Sequence, residues 1–108
     1  MRLLLATLIA AAALEAAAAE LWVFTRPGCG PCEALKATLK ADPSLAAGYE
    51  VYLVDVKEQP RLATKHGVKA VPVLVLFSEG KECGRRVGYA NKEELADWLR
   101  MKSRRIKK

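Results

Sequence analysis

Two cysteines stand two residues apart in Cys29-Gly30-Pro31-Cys32, and their neighbours constrain this chain more than any other feature. Before them runs Leu21-Trp22-Val23-Phe24-Thr25, aromatic and β-branched, closed by the turn chemistry of Arg26-Pro27-Gly28. Such a run reads as a buried strand ending in a turn. After them, Leu35 and Leu39 lie four apart among good helix formers until Asp42-Pro43 stops the run, which reads as a helix. Pro31 has no N–H to lose and its fixed φ suits a first helical turn. The fold must therefore bring a buried strand end and a helix start to one point, with a dithiol between them.

The remaining elements follow in order. Gly48 precedes Tyr49 to Val56, where Tyr49, Val51 and Leu53 alternate with Glu50, Tyr52 and Val54, the pattern of a second strand. Pro60 suits the start of a short helix through Leu62, Ala63 and His66, and Gly67 falls where a left-handed cap is wanted. Val71 to Phe77 is continuously apolar, and Ser78-Glu79-Gly80-Lys81 turns it into Glu82 to Val87, two strands of a hairpin. Asn91 with Glu94 forms a near capping box, and Leu95, Trp98 and Leu99 make the apolar stripe of a last helix. Strands alternating with helices predict an α/β fold, a central mixed four-stranded sheet flanked by helices. Parallel pairing through right-handed crossovers is expected, with the hairpin adding one antiparallel edge. At 108 residues the chain is one domain's worth of material.

Both ends differ from this body. Met1-Arg2, the apolar Leu3 to Leu14 and the small Ala16 to Ala19 have the layout of a secretory signal peptide. The run is too short to span about 30 Å of hydrocarbon, which takes about 20 residues. Residues 1–19 are expected to be removed before Glu20, with residence in a periplasm or outside the cell; a retained alanine-rich helix in a cytoplasmic protein and an uncleaved anchor are the alternatives. Of 18 Lys and Arg against 12 Asp and Glu, six basic residues fall within the last nine positions. The net charge therefore belongs to a basic tail, residues 101–108, while residues 20–100 form a nearly neutral domain. A solvated tail is the expectation, and weak contact with an anionic membrane the alternative. No aromatic residues interleave with it, so no specific nucleic-acid binding is expected.

A Cys-x-x-Cys pair at a strand-to-helix junction has an evident chemistry. The first sulfur meets the unpaired N–H groups and dipole of the helix N-terminus, which favour its thiolate, and Arg26 is expected to add positive potential. Cys29 then attacks a disulfide and Cys32, one turn in, resolves the mixed disulfide. The same spacing serves as half a zinc site, or as inert structural cysteines; Cys83 and His66 are the only further Cys and His, with no second pair to close a tetrahedron. No metal and no cofactor beyond the Cys29–Cys32 disulfide is expected.

At these residues the chain resembles the thioredoxin superfamily: Cys29-Gly30-Pro31-Cys32, then Lys65 to Phe77 around Val71-Pro72, then Val87-Gly88-Tyr89 followed by Asn91 to Leu99. The resemblance implies a thioredoxin-like fold, with Val71-Pro72 as a cis peptide facing the cysteines. Gly30, Pro31, Val71, Pro72, Gly88 and Tyr89 would form a shallow substrate groove. From the residues alone, Pro72 reads as a trans proline opening an edge strand, since only about 5–6% of X-Pro bonds are cis. The implied activity is disulfide exchange with protein disulfides or dithiols, more readily as reductant, by a monomer served by an upstream redox partner. A cytoplasmic glutaredoxin-like electron donor and a non-enzymatic thioredoxin-fold adaptor are the alternatives.

Departures from the pattern are equally specific. Thioredoxins commonly carry Trp before the first cysteine, a buried Asp six residues before it and a helix-kinking Pro five after the second; here stand Gly28, Val23 and Ala37. The Thr-Arg-Pro-Gly lead-in is more like glutaredoxins, whose Cys-Pro-Tyr-Cys and Gly-Gly pair are absent. Cys83 is expected to be a half-buried packing residue sharing a strand face with Arg85 and Val87, His66 a polar helix cap, and Trp22 and Trp98 core aromatics.

Overall fold

A computed structural model describes residues 19–106; residues 1–18 of the expected signal segment and the last two residues of the basic tail lie outside the described residues. The elements are β1 (Ala19–Thr25), α1 (Gly30–Ala41), a single 3-10 turn (Pro43–Ala46), β2 (Glu50–Asp55), α2 (Pro60–Lys65), β3 (Val73–Ser78), β4 (Lys81–Val87) and α3 (Lys92–Ile106). They build one four-stranded sheet in the order β2-β1-β3-β4. The mixed sheet flanked by helices is as expected.

Strand direction is not. β1 and β2 are parallel, but β3 runs antiparallel to β1 as well as to β4. The reason is length. A parallel return from β2 needs a connection that retraces a six-residue strand of roughly 20 Å. The six-residue α2 rises only about 9 Å. The chain therefore re-enters the sheet at the end it has just left, with Val73 beside Phe24. The hairpin that follows has a two-residue loop, Glu79-Gly80, both at positive φ (53° and 79°), which matches the twist of the paired strands.

β1 and β3 are central and covered on both faces, so their apolar runs are continuous. Leu21, Val23, Leu74 and Leu76 meet Leu35 of α1 and Leu95, Trp98 and Leu99 of α3 on one face. Phe24, Val73, Val75 and Val54 of β2 face the other, under Leu62 of α2 and Val68. His66 caps α2, and its ring also packs against Trp22, Phe24 and Phe77 with centroids 5.5–6.0 Å apart. It is an aromatic bridge from helix to sheet as well as a polar cap. Trp98 is buried as expected. Trp22 is only half-buried, its indole N–H donating to Glu20 at 2.9 Å.

The expectation for Cys83 is corrected by a bulge. Leu76 pairs with Gly84 and Phe77 with Glu82, so Cys83 is the extra residue of β4 and the period of two breaks there. Glu82, not Cys83, shares the face of Arg85, and the two form a bidentate pair with both contacts at 2.9 Å. That guanidinium holds the Glu82 carboxyl below its ordinary range. Cys83 itself is exposed on this edge strand, its thiol 3.4 Å from the Leu76 carbonyl.

Leu74 is fully buried in a central strand between two layers. Leu74→Ala is expected to destabilise the domain by about 2–5 kcal/mol, seen as a lower urea midpoint at unchanged m-value.

Candidate functional site

The site begins where β1 stops. Phe24 and Thr25 are buried, and Arg26, Pro27 and Gly28 turn outward, Gly28 at φ +76° where a side chain would be strained. Cys29 is the N-cap of α1, with extended backbone, and Gly30 and Pro31 are its first helical positions. The Cys29 carbonyl accepts the Glu33 N–H at 3.1 Å, and the Cys32 N–H donates to Cys29 Sγ at 3.2 Å. The sulfur thus takes the place an Asp or Ser oxygen holds at other helix starts, where backbone donors and the positive dipole end stabilise negative charge.

The two cysteines are joined as a disulfide, their Cα atoms 5.2 Å apart, within the normal range for such a bond. Cys32 is fully buried, whereas Cys29 keeps 7% of its surface exposed. One sulfur can be approached and the other cannot.

Three loops meet at this end of the sheet. The pairing of Phe24 with Val73, and of Val73 with Val87, sets the end of β1, the start of β3 and the end of β4 side by side. Val71-Pro72 is a cis peptide, Pro72 is buried, and the Pro72 carbonyl accepts the Gly88 N–H at 2.8 Å. Gly30 and Pro31 are exposed, while Val71, Gly88 and Tyr89 are half-buried. The expected groove residues therefore converge. Tyr89 does so as a brace: it packs on the first core cluster, and its hydroxyl shares a 2.7 Å hydrogen bond with that of Thr38 in α1.

Beneath the dithiol the surroundings are apolar. Val23 and Leu35 are fully buried in one cluster, and Thr25 is the one buried polar residue among the described residues. Arg26 is exposed and lines an open cleft with Lys69 and Val71. No group of three or more His, Cys, Asp or Glu is placed to hold a metal ion among the described residues.

Two features escape the sequence reading. Thr38 and Tyr89 are 51 residues apart, and no pattern links them. Lys69 stands in the stretch before Pro72, but its charge gains meaning only once that loop is seen beside Arg26.

A mixed sheet between helices, a Cys-x-x-Cys pair capping a helix and a cis-proline loop at the same sheet end together define a dithiol protein of the thioredoxin fold. The chain belongs to the thioredoxin-like domain family, whose model matches residues 8–102. It is 37% identical over 67 residues to a thioredoxin of Chlamydia trachomatis, covering 62% of this chain and 66% of that relative, just short of two thirds of its length. It is also 37% identical over 75 residues to a Staphylococcus aureus thioredoxin, covering 66% and 69%. Among solved structures, a mutant thioredoxin from Halobacterium salinarum superposes with a TM-score of 0.68 at 31% identity, over 77% of this chain and 73% of that one. Thioredoxin from Malassezia sympodialis gives 0.69 at 27% identity, over 81% and 76%.

Burial separates the two thiols chemically. After reduction of the native protein, iodoacetamide is expected to modify Cys29 about tenfold or more faster than Cys32, with exposed Cys83 as the internal comparison, by peptide mass spectrometry. Equal rates for Cys29 and Cys32 would contradict the geometry.

Proposed function

We propose that the protein is a thiol-disulfide oxidoreductase that exchanges disulfides with protein substrates through Cys29 and Cys32, working more readily as a reductant. The observation that carries this reading is the asymmetry of the pair: Cys29 Sγ at the helix start with a backbone N–H on it, Cys32 fully buried behind.

In the reducing direction the Cys29 thiolate attacks one sulfur of a substrate disulfide. The S–Cys29 bond forms, the substrate S–S bond breaks, and the leaving sulfur departs as thiolate and takes a proton. Cys32 then loses its proton and attacks Cys29 Sγ, releasing the second substrate thiol. Two electrons have moved to the substrate, and the protein holds the Cys29–Cys32 disulfide seen here. An upstream dithiol partner returns it to the reduced state. The exposed Gly30 and Pro31, with Val71, Pro72, Gly88 and Tyr89, supply the groove for the substrate's backbone beside Cys29. The Gly-Pro pair within the motif, with no His there, favours the reducing direction.

Residence outside the cytoplasm belongs to the same proposal and rests on residues 1–19. Monomeric action belongs to it too, with the expected basic tail continuing α3 as far as Ile106 and its Arg104 and Arg105 exposed or resting weakly on anionic lipid. Amino-terminal sequencing of the mature protein isolated from whole cells is expected to begin at Glu20; retention of the amino-terminal segment would favour a cytoplasmic donor or an uncleaved anchor.

In the insulin-reduction assay with dithiothreitol, wild type is expected to accelerate turnover, Cys29→Ser to abolish the acceleration, and Cys32→Ser to accumulate a mixed disulfide that dithiothreitol releases. Equal rates for wild type and Cys29→Ser would leave a thioredoxin-fold adaptor with a structural disulfide. Equilibration with glutathione then reads direction: a potential near about −270 mV marks a reductant and one near about −120 mV an oxidant.

A further inference from the structure

We infer that the cleft between Arg26 and Lys69 selects disulfide substrates that carry an acidic side chain beside the reacting cysteine. This deepens the oxidoreductase reading and rests on it.

The cleft holds about 440 Å³ and is lined by Arg26, Val56, Val68, Lys69, Ala70 and Val71. Its place is fixed by backbone contacts. The Val56 N–H donates to the Thr25 carbonyl at 2.8 Å, which seats Val56 against the strand end that leads into Arg26 and Cys29. The Val68 N–H donates to the Ala63 carbonyl at 2.9 Å, tying the opposite wall to α2. That wall continues through Val71 into Pro72, whose following residue pairs with β1 at the dithiol end. A substrate lying along Val71-Pro72 would therefore have the cleft beside it.

Its chemistry is one-sided. Arg26 and Lys69 are both exposed, and neither is in an ion pair among the described residues, although five such pairs engage Lys36, Arg85, Arg86, Lys92 and Arg100. The nearest acid on the adjoining strand is Asp55, which pairs with Thr25 across the sheet and accepts the Lys57 N–H at 2.8 Å. Glu58 follows in the next turn with Lys57 between them, so the turn carries one net negative charge against the two cations of the cleft and the balance stays positive. Val56, Val68 and Val71 give an apolar floor. Two cations above such a floor suit a carboxylate on a short methylene stem, a Glu or Asp side chain, and repel Lys or Arg at the same place.

The test uses three internally quenched peptides with one disulfide, identical except for Glu, Gln or Lys two residues from the cysteine. Single-turnover reduction is followed with the reduced full-length protein. Wild type is expected to favour the Glu peptide over the Lys peptide by about fivefold in kcat/KM, mostly through KM, and the preference is expected to shrink in about 0.5 M sodium chloride. In the Arg26→Ser/Lys69→Ser variant the ratio is expected to fall to about one; taking the ratio within each protein cancels any loss of general activity. Equal Glu and Lys rates in wild type, or a preference that survives the double substitution, overturn the inference while leaving the oxidoreductase reading intact. Failure of wild type to reduce the uncharged Gln peptide overturns both.

Discussion

The central position of β1 is the constraint on which the rest of the structure depends. It is the only strand bonded to both the parallel β2 and the antiparallel β3, and Leu21, Val23 and Phe24 in it are fully buried. A strand held on both edges and both faces has little freedom at its end, so the residue where it emerges is fixed in space. That emergence is the turn Arg26 to Gly28, and the helix that begins there has Cys29 as its cap. Precision at the sulfur is inherited from burial of the strand, not from the loop.

The same burial limits the chemistry. Position 23, facing the core under α1, is Val, and no carboxylate is buried among the described residues. In the proposed exchange Cys32 loses its proton to resolve a mixed disulfide, and with no buried carboxylate among the described residues that proton leaves to solvent or to the substrate's departing thiolate. A buried carboxylate in that apolar cluster would itself cost several kcal/mol unless paired. In the proposed exchange the resolving step, rather than the first attack, is where this arrangement is least assisted, because Cys29 has its N–H donor and helix dipole while Cys32 is fully buried with no buried carboxylate among the described residues.

What could be read from the sequence was local or periodic. The apolar runs of β1 and β3, the helix signals at Pro31 and Asn91, and the left-handed Gly67 all depend on neighbours within a few residues, and the structure places each where expected. The direction of β3 was not legible, because it depends on comparing the length of α2 with that of a strand, and periodicity carries no length for a connection. Cys83 was misplaced because one extra residue in β4 reverses every alternation beyond it, and a bulge leaves no mark when the flanking residues are all polar or small. Of the site, the dithiol was visible in four letters. The Thr38–Tyr89 brace and the Arg26–Lys69 cleft join residues that only the fold makes neighbours.

Charge shows the same separation of local from global. The formal net charge of +6 is carried by the C-terminal residues. Arg100 and Arg104 lie with Ser44 and Tyr49 around a cleft beside the 3-10 turn, next to the start of β2. β2 and β1 pair from Glu20 and Glu50 at that end to Thr25 and Asp55 at the dithiol end, five strand steps or roughly 17 Å away. At physiological ionic strength the screening length is about 8 Å, so the field of the tail is largely lost before it reaches Cys29. In the proposed exchange the charges close to an incoming substrate are instead those at the cleft, Arg26 and Lys69 with the neighbouring Asp55, Lys57 and Glu58, which contribute little to the overall charge. A basic isoelectric point is therefore a statement about the far end of α3, and substrate selection at the dithiol is a separate electrostatic problem.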